Sequence, residues 1–295
     1  MAATSINAPL IVITGPTASG KTGLAVELAR QFNGEIICAD SRTIYKGMDI
    51  GTAKPSVQEQ LAVPHWGLDL VEPGDYYSVS DFKVYADQKI GEIRARGHIP
   101  FLVGGTGLYI DAVLFNYQFG PPADVSLRQK LEMMTLDELY NYCHISNVIL
   151  PENEKNKRYV IRAIEQKGVN VGRRDVPIEN SIVVGIATEK EILHQRIADR
   201  TEQLFDNGVV DEAIMLGKKY GWDSEAMTAN VYRIAHSYSE NEMTLDEAKE
   251  RFTTLDRQLA KRQLTWLRRN LYVQWLGLSE ARAYLTQLLA NATGP

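Results

Sequence analysis

The sequence predicts an α/β protein in which a P-loop-containing parallel sheet is flanked by helices and carries a small helical insertion domain. Three observations support this fold class. Short apolar segments rich in β-branched residues alternate with segments of helical periodicity. The first apolar segment ends in a glycine-rich turn that leads into a helix, which is the context of a phosphate-binding loop. Beyond residue 120, helical segments follow one another with no strand between them, which indicates the insertion.

Each predicted strand is a run of apolar residues bounded by a turn, and each predicted helix spaces its apolar residues three or four positions apart. A strand, a helix and a second strand in succession imply parallel pairing, because the helix returns the chain to the same edge of the sheet. The strands are expected at residues 9–14, 35–39, 99–103, 182–187 and 272–276. The helices are expected at residues 21–32, 80–96, 125–134, 136–144, 154–167, 189–207 and 245–269.

The helical insertion is expected at residues 118–181, where Pro121-Pro122 marks the change from alternating strands and helices to helices alone. The chain on either side, residues 1–117 and 182–295, is expected to form one P-loop catalytic core, since the strand at 182–187 rejoins the sheet. At about 150 residues per domain, a chain of 295 residues accommodates this core and a smaller second unit.

Composition excludes several classes of protein. The chain has 44% apolar residues, 23% charged residues and a formal net charge of −5, from 32 Lys and Arg against 37 Asp and Glu. These values exclude a disordered chain and a protein that coats nucleic acid by bulk charge. Two cysteines cannot build a disulfide framework, and no apolar run is long enough for an export signal or a membrane span. We therefore expect a cytoplasmic monomer with no membrane partner.

Residues 15–22 match the phosphate-loop pattern G-x-x-x-x-G-K-[ST] between a predicted strand and a predicted helix. Glycines let backbone N–H groups surround a phosphate, and the helix N-terminus adds the positive end of its dipole. Lys21 supplies a positive charge, and Thr22 supplies a hydroxyl that can bind a metal ion. The residues expected to bind a diphosphate are Gly15, Pro16, Thr17, Ala18, Ser19, Gly20, Lys21 and Thr22.

Two further residues follow strands whose carboxyl ends lie at the same edge of the predicted sheet. Asp40 follows the strand at 35–39, and Thr106 lies in the glycine turn after the strand at 99–103. In open parallel sheets ligands bind outside the strand ends, so both residues should face the phosphate loop across one crevice. Asp40 fits a general base or metal ligand as well as it fits a helix cap or turn former. Thr106 could offer its hydroxyl to a phosphate oxygen or be a polar turn residue.

Six motifs occur in chain order from residue 10 to about residue 269. Besides residues 15–22, they are Asp40-Ser41, Tyr45-Lys-Gly-Met-Asp-Ile-Gly-Thr-Ala-Lys-Pro55, Pro64-His65, Gly104-Gly-Thr-Gly-Leu-Tyr109, and Arg257-Gln258 with Ala260-Lys-Arg-Gln-Leu-Thr-Trp266. Together they resemble the tRNA dimethylallyltransferase family, and they are more specific than the phosphate loop alone.

The resemblance implies transfer of a dimethylallyl group from dimethylallyl diphosphate to N6 of the adenosine 3′-adjacent to the anticodon of tRNA. The phosphate loop and Mg²⁺, bound through Thr22, would stabilise the charge of the departing diphosphate. By the same resemblance, Thr106 bonds the leaving-group oxygen and Arg200 contacts the diphosphate. Asp40 would accept a proton from N6 as the C–N bond forms. The target adenosine has to leave its stack to reach such a crevice.

The resemblance also implies which residues contact the tRNA anticodon stem-loop. A basic helix at 257–269 and a basic cluster in the insertion are expected to bind the tRNA. A charged helix face is also typical of a helix that is simply exposed to solvent. Tyr159, Thr228 and Val231 depart from the family pattern. The residues expected to contact tRNA are Asp40, Ser41, Arg42, Thr43, Thr106, Arg128, Arg158, Tyr159, Val160, Ile161, Arg162, Arg233, Gln258, Lys261 and Arg262.

Three other functions compete with this interpretation. An isopentenyltransferase acting on free adenine nucleotides would share the phosphate loop and Asp40 but would need no basic insertion. A P-loop phosphotransferase or NTPase would hold Mg²⁺ with a carboxylate at a neighbouring strand end, whereas the strand at 99–103 ends in Gly104-Gly105. An inactive tRNA-binding homologue would have no need to retain Lys21 and Arg200.

Overall fold

The structure is a computed structural model that describes residues 8–120, 124–167 and 172–292. The chain forms two compact units, Met1–Leu114 with Pro177–Pro295, and Phe115–Val176. Both boundaries of the second unit therefore lie slightly earlier than the predicted 118–181. The residues that lead into the next strand belong to the first unit, because the Ile178 N–H donates to the Leu114 carbonyl at 2.7 Å. Pro121-Pro122 lies outside the described residues.

The first unit, here called the core, contains a six-stranded sheet in the order β3-β2-β4-β1-β5-β6, with every neighbouring pair parallel. All residues of β1 and β4 are buried, as expected for parallel strands covered on both faces. The predicted α/β fold with a parallel sheet is confirmed. The strands are β1 (Leu10–Thr14), β2 (Gly34–Cys38), β3 (His65–Trp66), β4 (Ile99–Gly104), β5 (Ser181–Ala187) and β6 (Gln274–Gly277).

Two long helices of the core begin at a sequence signal for a helix start. Capping boxes start two long helices, since the Ser78 and Thr244 hydroxyls accept from the backbone of Asp81 and Glu247, whose carboxylates bond back to the cap residues. The helices are α1 (Lys21–Gln31), α2 (Val57–Ala62), α3 (Val79–Ala95), α4 (Gly107–Leu114), α8 (Lys190–Asp206), α9 (Val209–Tyr220), α10 (Asn230–Ser239), α11 (Leu245–Leu267) and α12 (Leu278–Ala292).

Two clusters of buried side chains stabilise the core. In the first, Ile11 and Ile13 of the central strand pack with Leu28 of α1 and Leu285 of α12. The second joins the chain after β2, including Met48, to apolar residues of α8 to α11. This second cluster holds the segment after β2 and α11 against each other. Nowhere in the described chain does a helix combine the length and apolar character needed to cross a membrane.

The second unit consists of α5 (Val125–Met133), α6 (Leu136–Ile145) and α7 (Lys157–Glu165), close to their predicted positions. The buried apolar cluster of this unit contains Leu139, Cys143 and Ile164 together with Val160 and Ile161, which are 0% and 4% exposed. The side chains of Val160 and Ile161 are therefore packed inside the unit, and their contact with tRNA stays a prediction. They occupy the apolar face of α7, and the burial of that face holds the unit together.

Candidate active site

A crevice of about 490 Å³ lies at the carboxyl ends of β1, β2 and β4. It is lined by the phosphate loop after β1, by Asp40 after β2 and by Thr106 after β4. Arg200 of α8 reaches the same space, although it follows Thr106 by many residues in the sequence. The structure thus brings together the residues that were predicted from three strand ends and from the family resemblance.

The phosphate loop has the backbone geometry of an anion site. Gly20 adopts a left-handed conformation at φ 89°, which a side chain would strain, and α1 begins at the next residue. The Lys21 ammonium donates to the Pro16 carbonyl at 3.1 Å and stays beside the loop. The hydroxyl of Ser19 is buried and has no hydrogen-bond partner among the described residues. A helix N-terminus, an ammonium group and an unused hydroxyl therefore lie together at this loop.

Burial tunes the charge of Lys21. Desolvation lowers the pKa of the Lys21 ammonium from its ordinary 10.5 to about 8, against the opposing attraction of Asp40. Arg200 contributes in the same direction as burial because it repels a second cation. Lys21 is therefore still protonated at neutral pH, but its positive charge has lost the stabilisation that water provides. A polyanion beside the ammonium group would restore that stabilisation.

Two helices from distant parts of the sequence fasten Thr17 at the middle of the loop. Arg200 of α8 donates a hydrogen bond to the Thr17 hydroxyl. Gln263 of α11 accepts one from the Thr17 backbone N–H at 2.8 Å. The Arg200 Nε is also buried without a partner within the described chain. Arg200 is thus placed to contact an anion in the loop, and Gln263 is a positioning residue that the sequence analysis had included only in a family motif.

Asp40 and Thr106 are each held by a hydrogen bond from a backbone N–H group. The Asp40 Oδ1 accepts from the Arg42 N–H at 2.8 Å, and the Thr106 Oγ1 accepts from the Ser41 N–H at 3.1 Å. A Cβ on Gly104 would lie 2.0 Å from the Ala39 carbonyl oxygen, so only glycine allows β4 to end this close to the chain after β2. The carboxylate and the hydroxyl consequently face the crevice in a fixed arrangement, as a general base requires.

The residues after Asp40 make protein contacts of their own. The Arg42 guanidinium donates to the Glu225 carbonyl at 2.9 Å and to the Thr228 hydroxyl at 3.3 Å. Thr43 is buried, and its hydroxyl lies 3.5 Å from the Asp40 carbonyl oxygen. Thr228 is thus a partner of Arg42 in this chain. Ser41, Arg42 and Thr43 all line the crevice.

Asp256 is the crevice residue that the sequence analysis missed. It lies on α11, is 4% exposed, and its Oδ2 has no hydrogen-bond partner in the described part of the chain. Burial raises the pKa of its carboxyl group, while Arg200 and Lys21 oppose the rise. A signal was available, because Asp256 stands four residues after Phe252 and four before Ala260, both buried. A carboxylate on the apolar face of a helix is unusual enough to indicate a function.

The core residues predicted to contact tRNA lie at the surface. Gln258, Lys261 and Arg262 are exposed on α11, and Arg262 also lines the crevice. Arg233 is exposed on α10, next to the buried Tyr232. These side chains are therefore accessible to a large polyanion, as the prediction requires, and their contact with tRNA stays a prediction.

In the second unit, the predicted tRNA residues divide into exposed and paired ones. Arg158 and Tyr159 are exposed, Tyr159 by 46%. Arg128 binds the Glu165 carboxylate through two nitrogens at 2.7 Å, and Arg162 binds it at 3.2 Å. Although burial would raise the pKa of Glu165, the two arginines hold it below its ordinary value. Arg128 and Arg162 thus have a structural partner already, which the sequence did not indicate.

Comparison with known proteins supplies independent findings. The family model described as IPP transferase matches residues 43–270. The tRNA dimethylallyltransferase of Anoxybacillus flavithermus is 38% identical over 283 residues, which cover 92% of this chain and 91% of the relative. That of Bacillus subtilis is 36% identical over 287 residues, with coverage of 92% and 91%.

Solved structures are similar as well. The full-length tRNA isopentenylpyrophosphate transferase of Bacillus halodurans is 34% identical, with a TM-score of 0.73 and coverage of 97% of this chain and 98% of the other. A eukaryotic dimethylallyltransferase acting on tRNA shares the fold at 24% identity, with a TM-score of 0.81 and coverage of 96% and 78%.

Proposed function

Since this chain belongs to the IPP transferase family, we infer that it transfers a dimethylallyl group from dimethylallyl diphosphate to N6 of the adenosine 3′-adjacent to the anticodon of tRNA. The relatives named tRNA dimethylallyltransferase match it over most of their length, which favours a tRNA acceptor over a free adenine nucleotide. The observation that carries the proposal is the crevice in which the phosphate loop faces Asp40. One wall offers an anion site for a leaving group, and the other offers a base for an incoming amine.

The donor diphosphate would lie in the phosphate loop. Two buried donor groups without a partner in the described chain, Ser19 Oγ and Arg200 Nε, would gain acceptors from its oxygens. Lys21 would gain an anion that offsets its desolvation. In an NTPase, a carboxylate at the end of the neighbouring strand helps to bind Mg²⁺, whereas β4 of this chain ends in glycines. The site therefore suits a reaction in which the diphosphate leaves intact better than one in which water attacks a phosphate.

The acceptor amine needs a base because the N6 lone pair of adenine is delocalised into the ring. As N6 bonds to the prenyl carbon and the carbon–oxygen bond to the diphosphate breaks, Asp40 would take a proton from N6. The electron pair of the broken bond stays on the diphosphate oxygen. Thr106, on the same side of the crevice as Asp40, would hydrogen-bond that oxygen, and Lys21 and Arg200 would stabilise the charge.

We further propose Mg²⁺ as the cofactor. Its preferred ligands are hard oxygens, and the crevice offers the Thr22 hydroxyl at the start of α1, to which diphosphate oxygens and water would be added. This oxygen-rich position fits the ion, with Thr22 as the protein ligand expected next to the loop. Bound there, Mg²⁺ would neutralise part of the charge of the leaving diphosphate.

The tRNA would approach the exposed basic side chains of α11 and α10, with the target adenosine turned out of its stack into the crevice. We also propose that the protein acts as a monomer. Both cysteines, Cys38 and Cys143, are free and buried, which agrees with a reducing compartment such as the cytoplasm.

The proposal is tested by the chemical identity of the product. Unmodified tRNA is incubated with dimethylallyl diphosphate and Mg²⁺, digested to nucleosides and analysed by mass spectrometry. We expect N6-dimethylallyladenosine, formed once per tRNA at the position after the anticodon. A tRNA that stays unmodified with folded enzyme and saturating donor would contradict the proposal.

A further inference from the structure

The crevice contains a second carboxylate for which the reaction outlined above has no role. Asp256 lies on the inward face of α11, beside Phe252 and Leu259, which line the same crevice. Its side chain is almost fully buried, and its Oδ2 has no hydrogen-bond partner in the described chain. Buried carboxylates are normally paired or bound to metal ions, since burial without a partner is strongly disfavoured. The position of Asp256 thus indicates that a partner is missing.

The charges around Asp256 belong to the donor site. Arg200, Lys21 and Arg262 attract its carboxylate, and Asp40 repels it. A diphosphate entering the loop would compete with Asp256 for Arg200 and Lys21, and would bring several further negative charges. Three acidic groups, namely Asp40, Asp256 and the diphosphate, would then share one crevice. A divalent cation among them would convert this repulsion into binding.

The crevice also lacks the carboxylate that the phosphate-loop architecture usually contributes. The end of β4 is Gly104-Gly105, so no acidic side chain follows that strand. Among the described residues that line the crevice, the acidic ones are Asp40 and Asp256. Magnesium sites in proteins typically use one or two carboxylates together with substrate phosphate oxygens and water. Asp256 therefore supplies from α11 the group that is missing at β4.

We propose that Asp256 is a ligand of the donor-site Mg²⁺, bound directly or through one water molecule, together with Thr22 and the diphosphate. The inference rests on the proposed function, because the ion accompanies the donor diphosphate. The alternative is that Asp256 serves only as a counter-ion that holds Arg200 and Lys21 in place. If Asp256 is a metal ligand, its substitution should weaken binding of the metal ion but not metal-free binding of diphosphate. If it is only a counter-ion, its substitution should weaken diphosphate binding equally with and without metal, so one experiment separates the two roles.

The experiment uses Mn²⁺ as a paramagnetic substitute for Mg²⁺ and inorganic diphosphate as the probe anion. Mn²⁺ is titrated into the full-length protein with diphosphate present, and bound ion is followed by electron paramagnetic resonance. Asp256→Asn and the smaller Asp256→Ser should each weaken Mn²⁺ binding by roughly tenfold or more, the scale seen for groups that support a metal site. Asp246→Asn, on the exposed side of the same helix, is the matched control and should leave Mn²⁺ affinity unchanged.

Diphosphate binding in the presence of a chelator provides the second readout. Without metal, Asp256→Asn should bind diphosphate as tightly as the wild type or more tightly, because a repelling charge has been removed. Mn²⁺ affinity within twofold of the wild type in both Asp256 variants would overturn the inference, as would an equal loss of diphosphate affinity with and without metal. Neither readout involves prenyl transfer, so failure here is distinguishable from failure of the proposed function.

Discussion

The Thr106 hydroxyl oxygen accepts a hydrogen bond of 3.1 Å from the backbone N–H of Ser41. The bond joins the turn after β4 to the residue that follows Asp40. The Thr106 N–H donates in turn to the Ala39 carbonyl at 3.2 Å, so the two strand ends are tied together on both sides of Asp40. The base and the hydroxyl assigned to the leaving group are thereby fixed relative to each other before either substrate binds.

Asp40→Asn tests the base. Asparagine keeps the shape and can still accept the Arg42 N–H bond, but it cannot take a proton from N6. We expect the turnover rate at saturating substrates to fall by roughly 10²-fold or more, with donor affinity nearly unchanged. Steady-state kinetics measure the first, and calorimetric titration with dimethylallyl diphosphate measures the second.

The control is Asp87→Asn on α3, which removes an exposed carboxylate paired with Lys83. It should leave both quantities as in the wild type. Asp40→Asn with wild-type turnover would remove Asp40 from the mechanism.

The parts of the site that the sequence predicted are those encoded locally. The phosphate loop, Asp40 and Thr106 each follow a strand end, and the ends of parallel strands meet at one edge. Asp256 and Gln263 reach the crevice only through the packing of α11 against the loop. The spacing marks Asp256 as an unusual carboxylate on an apolar helix face, but no local pattern places it at the loop.

The differences between prediction and structure have physical reasons as well. Val160 and Ile161 were assigned to tRNA by resemblance, which did not indicate that with Ile164 they form the buried apolar stripe of α7. The strand β3 has two residues, too few to show any periodicity. The predicted last strand starts two residues before β6, because strand ends are set by pairing with β5 rather than by residue type.

The lowered pKa of Lys21 predicts a pH dependence of donor binding. Lys21 is protonated below about pH 8 and neutral above it, whereas a diphosphate is largely ionised above about pH 6. Donor affinity of the free enzyme should therefore be highest near pH 7 and fall as the pH rises through 8 to 9.5. Titrations with dimethylallyl diphosphate across this range, without tRNA, measure the effect. In Lys21→Arg the guanidinium stays charged, so affinity should be weaker but flat. A flat wild-type profile would contradict the assignment.

Glu212 is predicted to stabilise the segment that borders the crevice. Its buried carboxylate accepts hydrogen bonds from the backbone N–H groups of Asp49, Ile50 and Gly51 and from the Tyr232 hydroxyl. Glu212→Gln replaces one acceptor by a donor that faces other donors, and should lower the free energy of unfolding by about 2–4 kcal/mol. Tyr232→Phe removes a single bond and should cost about 0.5–1.5 kcal/mol. Chemical denaturation measures the free energy of unfolding of both variants. An equal decrease in the two variants would show that the hydrogen bonds from the backbone N–H groups contribute little.

The exposed lysine of α11 is predicted to bind tRNA phosphate. Lys261→Ala should weaken tRNA affinity and reduce the slope of log affinity against log salt by about one unit, because one fewer counterion is released. Arg30→Ala is the control, since α1 begins at the crevice and Arg30 lies in its last turn, at the opposite edge of the sheet. Filter binding between 50 and 200 mM salt, roughly the range in which such slopes are measured, gives both values. An unchanged slope in Lys261→Ala would exclude the contact.

The central claim is that the acceptor is an adenosine in tRNA. The most direct measurement is the initial rate of transfer from labelled dimethylallyl diphosphate to three acceptors, each offered alone. These are a tRNA with adenosine 3′-adjacent to the anticodon, the same tRNA with guanosine there, and AMP. We predict labelling of the first alone, because guanosine has no N6 amine and AMP cannot engage the exposed basic side chains of α10 and α11. Labelling of AMP with the adenosine-bearing tRNA left unlabelled would contradict the account.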